Sequence, residues 1–497
     1  MTLRPGRVRH ALVWSTVPGL DDLQRNAVRE LVRASPLLVE LGGRFSAAGH
    51  ALHLVGGSVR DALLGRLGDD LDLTTDARPE QVLALVEGWA DSTWETGIAF
   101  GTVGIAKRGS KLEVTTYRAE EYDPGSRHPV VSYGETLGGD LARRDLTVNA
   151  MALALPDWRA ADAFVDRFGG LTDLAAGVLR TPGRPEDSFD DDPLRMLRVA
   201  RFASQLGFRV APEVVTAMTE MAERLRIVSV ERVKDELAKL LVGRAPRAGL
   251  ELLVDTGLAS VVLPELPALR LEIDEHHQHK DVYEHTLQVL DRAIALETDG
   301  PDLVLRLAAV LHDVGKPMTR RHEPGGGVSF HHHEVKGAHL ARRRLKTLTF
   351  PKDVVEAVFR LTELHLRFHG YGKGEWTDSA VRRYVTDAGD QLERLHKLVR
   401  SDCTTRNKRR AATLAGAYDD LEARIAVLAE QEELGRIRPD LDGTAIMDLL
   451  GLPPGPAVGA AYKHMLAVRM EKGPLPAEQA ERELRSWAAA RGLGVTG

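Results

Sequence analysis

Two aspartates separated by one leucine, Asp70-Leu71-Asp72, carry the first chemistry legible in this chain. In an extended strand alternate side chains share a face, so both carboxylates project together while Leu71 and Leu73 point into a core. Paired carboxylates suit Mg²⁺, a hard cation that takes oxygen ligands and keeps substrate phosphates among them. Two such ions, roughly 3.5–4 Å apart, would activate an attacking hydroxyl and stabilise a leaving pyrophosphate. Glu113, on another predicted strand, offers a third carboxylate. An Asp-x-Asp triplet alone is also what a polar strand face looks like, and the segment upstream shifts the balance. Gly56-Gly57 lets the backbone approach a phosphate, and the helix start after it favours an anion. Gly57 and Arg60, in the first turn of that helix, are placed to meet the same phosphate.

A second set of residues has metal-ligand chemistry. His285, His312-Asp313 and Asp402 follow one another as H…HD…D, and imidazole with carboxylate can hold a first-row divalent ion. His333 and His365 are candidates for a second ion, whereas His331, His332, His339 and His369 read as incidental. A third set lies on one predicted helix after Pro193. Arg195, Arg198 and Arg201 fall three apart on one broad face, with Leu194 and Leu197 toward the core and Asp191 or Asp192 as cap.

The elements that must position these residues follow from periodicity. Ala51 to Val55 is an apolar run ending in the glycine turn, and Ser58 to Leu64 starts a helix. Leu71 to Thr74 and Leu112 to Tyr117 read as strands, the latter pairing with Val103–Ala106 across the Lys107–Ser110 turn. After Pro193 helical spacing dominates to the C-terminus. Pro264, Pro267 and the polar run Asp274–Asp281 mark a boundary, and a charged helical stretch from Leu414 to Leu434 precedes a break at Pro453–Pro456.

Composition narrows the class. At 497 residues the chain needs two or three domains. One cysteine, Cys403, excludes an internal disulfide framework and fits a reducing, cytoplasmic setting. No apolar stretch is long enough to span a bilayer, so no membrane partner is expected. The net charge of −6 gives no overall attraction to nucleic acid, but basic clusters at Arg342–Lys346 and Arg406–Arg410 can act locally.

The run Val55-Gly56-Gly57-Ser58-Val59-Arg60-Asp61 through Asp70-Leu71-Asp72 resembles the head of the class II tRNA nucleotidyltransferase/poly(A) polymerase family, within the polymerase β-like superfamily. Arg143-Arg144-Asp145-Leu146-Thr147-Val148-Asn149-Ala150 is similar to that family's RRDFTxNA motif, with Leu146 in place of Phe. Val165-Asp166-Arg167-Phe168-Gly169-Gly170 resembles its next turn, and Asp191-Asp192-x-x-Arg195 its EDxxR motif, with Asp191 for Glu. Val230-Glu231-Arg232-Val233-x-x-Glu236 looks like the neck motif that supports the EDxxR helix. Leu307 to Lys316 resembles the signature of HD-domain phosphohydrolases.

The resemblance implies an α+β fold: a mixed-sheet nucleotidyltransferase head followed by an all-α neck, an HD domain and a helical tail. The expected boundaries are 1–30 for an N-terminal extension, 31–180 for the head, 181–265 for the neck, 280–410 for the HD domain and 411–497 for the tail. It implies Asp70 and Asp72 as catalytic Mg²⁺ ligands. Gly57, Arg60, Arg144, Asp192, Arg195, Arg198 and Arg201 would bind nucleotide, with Asp192 and Arg195 reading the base. Cytosine and adenine each place an exocyclic amine beside an acceptor, which a carboxylate and a guanidinium match. In the HD domain, His285, His312, Asp313 and Asp402 would hold a divalent transition metal. The implied activity is addition or repair of the 3′-terminal CCA of tRNA from CTP and ATP. Poly(A) polymerase and partial CC- or A-adding enzymes share the same head motifs. A metal phosphohydrolase with a relic head, and a tRNA-binding scaffold without chemistry, are the rivals of different class.

Overall fold

The computed structural model describes residues 35–66, 70–98, 101–121, 130–134, 136–158, 160, 162–271, 282–324, 328–371, 376–403, 407–432 and 437–493. The expected extension at 1–30 and the polar run at 274–281 lie outside them, as do the side chains of Asp70 and Lys408 and the whole of Arg406. The chain divides into two compact units, Met1–Val262 and Leu263–Gly497.

The first unit is built on a seven-stranded sheet. Helix α1 (Leu37–Ala47) precedes β1 (Leu52–Val55), α2 (Gly57–Leu63), β2 (Asp70–Thr75) and α3 (Pro79–Val86). Then come β3 (Ser92–Trp94), β4 (Thr102–Lys107), β5 (Ser110–Thr116), β6 (Arg118–Glu121), β7 (Val130–Tyr133), α4 (Leu137–Ala142), β8 (Met151–Leu155) and β9 (Phe164–Asp166). The order across the sheet is β3-β4-β5-β2-β1-β8-β9. Only β2 and β5 run parallel; the other neighbours in this sheet are antiparallel. Alternation decides the faces: Leu71, Leu73, Leu112 and Val114 are buried, while Asp72 and Glu113 are exposed.

The β4–β5 hairpin forms as its sequence predicts, with Lys107 opposite Ser110. Its two turn residues, Arg108 and Gly109, have φ of 49° and 83°, the left-handed pair that matches the twist of a tight hairpin. Gly104 in β4 leaves room for the Trp94 ring, which a Cβ there would meet at 1.8 Å.

Helices complete the unit: α5 (Gly170–Ala176), α6 (Pro185–Asp191), α7 (Leu194–Leu206), α8 (Pro212–Met221), α9 (Val230–Leu241), α10 (Pro246–Asp255) and α11 (Leu258–Val262). The short strands β10 (Val178–Leu179) and β11 (Arg209–Val210) pair beside them. Asp166 accepts from the amides of Gly170 and Leu171 and so starts α5. Helix α7 differs from the amphipathic helix its sequence suggests. Neighbouring α9 and α10 cover it, and Arg195 and Arg201 are buried along with its leucines.

The second unit is almost entirely helical. It runs through α12 (Val282–Ala295), α13 (Leu303–Leu311), α14 (Lys316–Thr319), α15 (His333–Thr347), α16 (Lys352–Leu364), α17 (Asp378–Ala388), α18 (Leu392–Asp402) and α19 (Lys408–Glu432). Asp302 caps α13 by accepting from the Leu305 amide. The last three helices, α20 (Gly443–Leu450), α21 (Pro456–Lys472) and α22 (Ala477–Ala489), share a core of Ile446, Leu450, Ala461, Met465 and Leu484. Arg382 on α17 donates to the carbonyls of Met470 and Glu471, which the end of α21 leaves without helical partners. No helix among the described residues is long and apolar enough to cross a membrane.

Candidate functional site

The glycine turn and the acidic strand are locked together locally. Gly56 has φ of 70°, a backbone state that side chains disfavour. A Cβ at Gly56 would stand 3.0 Å from Arg144 Nη1 and 3.6 Å from Asp72 Oδ2, so the turn lets both side chains close over it. The Asp72 amide donates to Ser58 Oγ at 3.0 Å, tying β2 to the start of α2. Asp72 pairs in register with Glu113 across the parallel strands, so their carboxylates share the exposed face. Hard oxygen donors side by side on an open face are a donor set that fits Mg²⁺.

Asp72 opens onto a cavity of about 300 Å³. Its wall holds six arginines (Arg118, Arg143, Arg144, Arg195, Arg198 and Arg232) against four aspartates (Asp72, Asp140, Asp145 and Asp192). That excess of cations suits a polyanion such as a triphosphate. Of the nucleotide-binding residues expected from the sequence, Arg144, Asp192, Arg195 and Arg198 line this cavity. Gly57, Arg60 and Arg201 are not among the described residues that do.

Each charged group has a partner. Arg144 donates to Asp140 at 3.1 Å, and Arg143 stands 3.5 Å from the same carboxylate. Arg198 donates from Nε and Nη2 to Asp145 at 2.8 and 2.5 Å. Burial pushes the Asp145 carboxyl up, but Arg198 and Asn149 outweigh it and hold the group at about 2. Asp192 Oδ1 accepts from the Leu194 amide at 3.1 Å, and its Oδ2 from Arg232 at 2.7 Å. Arg195 Nη1 donates to Ser188 Oγ at 3.0 Å. Arg201 Nε stands 2.5 Å from Glu236, with its guanidinium 4.0 Å over Phe202. Arg60 is bound to Asp61 and, at 2.6 Å, to Asn149.

Asp140, Arg118 and Thr115 belong to the cavity wall without having been singled out in the sequence. For Asp140 a signal existed: it precedes Arg143 and Arg144 by three and four residues, the spacing of neighbours on a helix. For Arg118 there was none beyond its place after a strand.

Four histidines of the second unit converge. His285 Nε2 lies 2.9 Å from Asp402 and 3.6 Å from Asp313 Oδ2, while His312 Nε2 lies 3.2 Å from that same Oδ2. On the other side, His333 and His365 Nε2 approach Asp313 Oδ1 at 3.2 and 3.9 Å. Two groups that could each hold an ion result, His285-His312-Asp313 and Asp313-His333-His365, with Asp313 in both.

The Nδ1 atoms of His312, His333 and His365 each pair with a carbonyl three residues back, of Ala309, Phe330 and Thr362. That pairing fixes Nε2 as the unprotonated, ligating atom in the neutral ring. All three Nε2 atoms are buried without a hydrogen-bond partner, an arrangement that fits divalent metal. Lys316 Nζ stands 2.9 Å from Asp313 Oδ2. Burial disfavours a charged His312, but Asp313 and Asp402 reverse this and raise it to about 9. His365, buried and facing His312, is pushed down to about 3. Burial also opposes the Asp313 and Asp402 carboxylates, yet the facing imidazoles hold both well below the usual range.

The basic cluster at Arg342–Lys346 is partly used within the chain. Arg342 pairs with Glu356 and stacks 3.4 Å over Phe359, and Arg344 donates to Glu265 at 2.9 Å, while Arg343 and Lys346 are exposed.

Comparison with known proteins agrees with this geometry. Residues 52–180 match the family described as Poly A polymerase head domain, 207–269 the "probable RNA and SrmB-binding site of polymerase A", and 282–430 the HD domain. The CCA-adding enzyme of Levilactobacillus brevis is 43% identical over 212 residues, 42% of this chain and 51% of that protein. The chain thus spans about half the length of the first curated relatives it matches. The A-adding tRNA nucleotidyltransferase of Deinococcus radiodurans is 33% identical over 88% of this chain and 95% of its own. The crystal structure of the Bacillus stearothermophilus CCA-adding enzyme in complex with CTP is similar over 92% of this chain and 99% of that one, with a TM-score of 0.66 and 25% identity. Near-complete coverage of a relative one-third identical, on the same fold, makes this chain a member of the class II tRNA nucleotidyltransferase/poly(A) polymerase family with an HD domain in its second unit.

Proposed function

We propose that this chain adds or repairs the 3′-terminal CCA of tRNA, taking CTP and ATP without a nucleic-acid template. The observation that carries the reading is the presence of Asp192 and Arg195 in one arginine-rich cavity with Asp72. A carboxylate accepts from the exocyclic amine of cytosine or adenine, and a guanidinium donates to the ring acceptor beside it. Arg144 and Arg198 meet the triphosphate, exchanging their contacts with Asp140 and Asp145 for phosphate oxygens. Arg60 and Arg201 act from behind the wall, holding the glycine turn and α7, and Gly57 offers its backbone at the start of α2.

The 3′-hydroxyl of the RNA attacks the α-phosphate, and the bond to the β-phosphate breaks with release of pyrophosphate. Asp70 and Asp72, with Glu113 alongside Asp72, would hold Mg²⁺ there. When bound, such ions would ease loss of the attacking hydroxyl's proton and offset the charge that builds on the leaving oxygen.

The A-adding name of the Deinococcus radiodurans relative, matched over 88% of this chain, favours a narrower reading in which only the terminal adenosine is added. Radiolabelled CTP and ATP offered to tRNA lacking CCA, and to tRNA ending in CC, separate the cases. CCA addition predicts incorporation of C, then A, then a stop. Incorporation on the CC end alone means A addition, and an unlimited run of A would sink both.

A second activity is favoured by the three orphaned Nε2 atoms around Asp313. His285, His312, Asp313 and Asp402 would hold one divalent transition metal and Asp313, His333 and His365 a second, to serve hydrolysis of a phosphoester on an RNA end or nucleotide. When bound, these ions supply Lewis acidity toward the phosphoester. Release of phosphate from p-nitrophenyl phosphate or an RNA 3′-phosphate, absent in Asp313→Ala, tests it.

A further inference from the structure

The base-reading pair is held from behind by an uncharged residue. Ser188, on α6, is buried, and its hydroxyl accepts from Arg195 Nη1 at 3.0 Å. Its backbone carbonyl accepts from the same nitrogen at 3.3 Å and also from the Asp192 amide at 3.3 Å. One residue therefore touches both members of the pair, from the helix that precedes them.

A guanidinium is planar, so two acceptors on one nitrogen, the Ser188 hydroxyl and carbonyl, hold its plane and the directions in which the remaining N–H groups point. The competing anchor for that nitrogen is Asp191, at 3.7 Å. That is beyond hydrogen-bond reach, and the Asp191 side chain is 41% exposed, so water screens the attraction. The Ser188 hydroxyl is the nearer and drier partner. Without it, Arg195 keeps the weaker carbonyl contact and the screened attraction of Asp191, and gains freedom to swing toward that carboxylate.

We infer that Ser188 is a specificity-determining positioning residue, whose hydroxyl sets the plane of Arg195 and thereby the preference for cytosine and adenine over uracil and guanine. This rests on the nucleotidyltransferase reading above. It does not make Ser188 a catalytic residue, because its contacts are with Arg195 and Asp192.

The test compares the full-length wild type, Ser188→Ala and Ser188→Cys on tRNA lacking CCA and on tRNA ending in CC. The readouts are the ratio of kcat/KM for CTP over UTP and for ATP over GTP, together with thermal unfolding. The Cys variant keeps nearly the same volume but offers only a weak acceptor, and it decides the matter if the Ala variant fails to fold. Loss of one hydrogen bond to a charged group is expected to lower these ratios by about tenfold or more in either variant. Ratios within about twofold of wild type, with or without a lower unfolding temperature, would mean a merely structural serine and overturn the inference alone. A wild type that incorporates no nucleotide on either tRNA, or incorporates all four equally, overturns the nucleotidyltransferase reading and this inference with it.

Discussion

In the head cavity Asp140 faces Arg143 and Arg144, Asp145 faces Arg198, and Asp192 faces Arg232. Around Asp313 in the second unit, three imidazole nitrogens converge with no hydrogen bond to satisfy them. The first arrangement balances its charges internally and must exchange partners when a substrate with its own charges enters. The second turns three buried imidazole nitrogens toward one carboxylate, and a cation there would satisfy them while displacing Lys316 from Asp313. Both sites gather acids and bases, but the head pairs Asp140, Asp145 and Asp192 with arginines, whereas the second unit aims imidazole nitrogens at a shared carboxylate.

The comparison can be broken most decisively at Asp72. Asp72→Ala should lower nucleotide incorporation by about 10²- to 10³-fold or more, while the metal content of the second unit stays unchanged. Nucleotide incorporation near the wild-type rate would remove the exchanging site from the comparison. Next in size is Asp313→Ala, which removes the residue common to both ligand groups. Elemental analysis of the metal-loaded protein should show the loss of both ions, with CTP and ATP incorporation retained. Retention of full metal content would mean that the histidines alone suffice.

Internal balance in the head predicts a stability cost when it is disturbed. Glu236→Gln leaves Arg201, whose side chain is 11% exposed, without its carboxylate. Breaking such a buried pair costs about 3–5 kcal/mol, readable as a lower denaturant midpoint. The smallest effect concerns acid. Asp145 is held at about 2 in the fold against 3.8 as its ordinary value, so the unfolded chain binds the proton more readily. Its contribution, roughly 2 kcal/mol, is complete above about pH 5 and is lost as the pH falls toward 2. Asp145→Asn should therefore show less loss of stability across that window than the wild type. An identical acid limb would mean that other carboxylates govern it.

Much of this was legible in the sequence where information is local. The apolar alternation around Asp72, the hairpin across Lys107–Ser110 and the helix after Pro193 all depend on residues near one another in the chain. The order His285, His312-Asp313, Asp402 spans 117 positions and was legible because Leu307 to Lys316 resembles a known signature. What could not be read was pairing between distant positions. The neck-motif resemblance placed Arg232 near the EDxxR helix, but no spacing rule says that it meets Asp192, forty residues back. Arg60 looked free to reach a phosphate because its bond to Asn149 spans 89 positions. The face of α7 carrying Arg195 and Arg201 looked solvated because nothing local reports that α9 and α10 cover it.

The hairpin turn at Arg108-Gly109 has a reach well beyond itself. Two residues in the left-handed region make the tight turn that sets Lys107 opposite Ser110, and β5 in turn presents Glu113 beside Asp72. A slip of one residue would turn Glu113 into the core and Leu112 out to the solvent. The turn therefore works as a gauge block for the sheet. A chain that has threaded its strands wrongly is not a slow version of the protein but one without its acidic face, so correct assembly and a competent site arrive together or not at all.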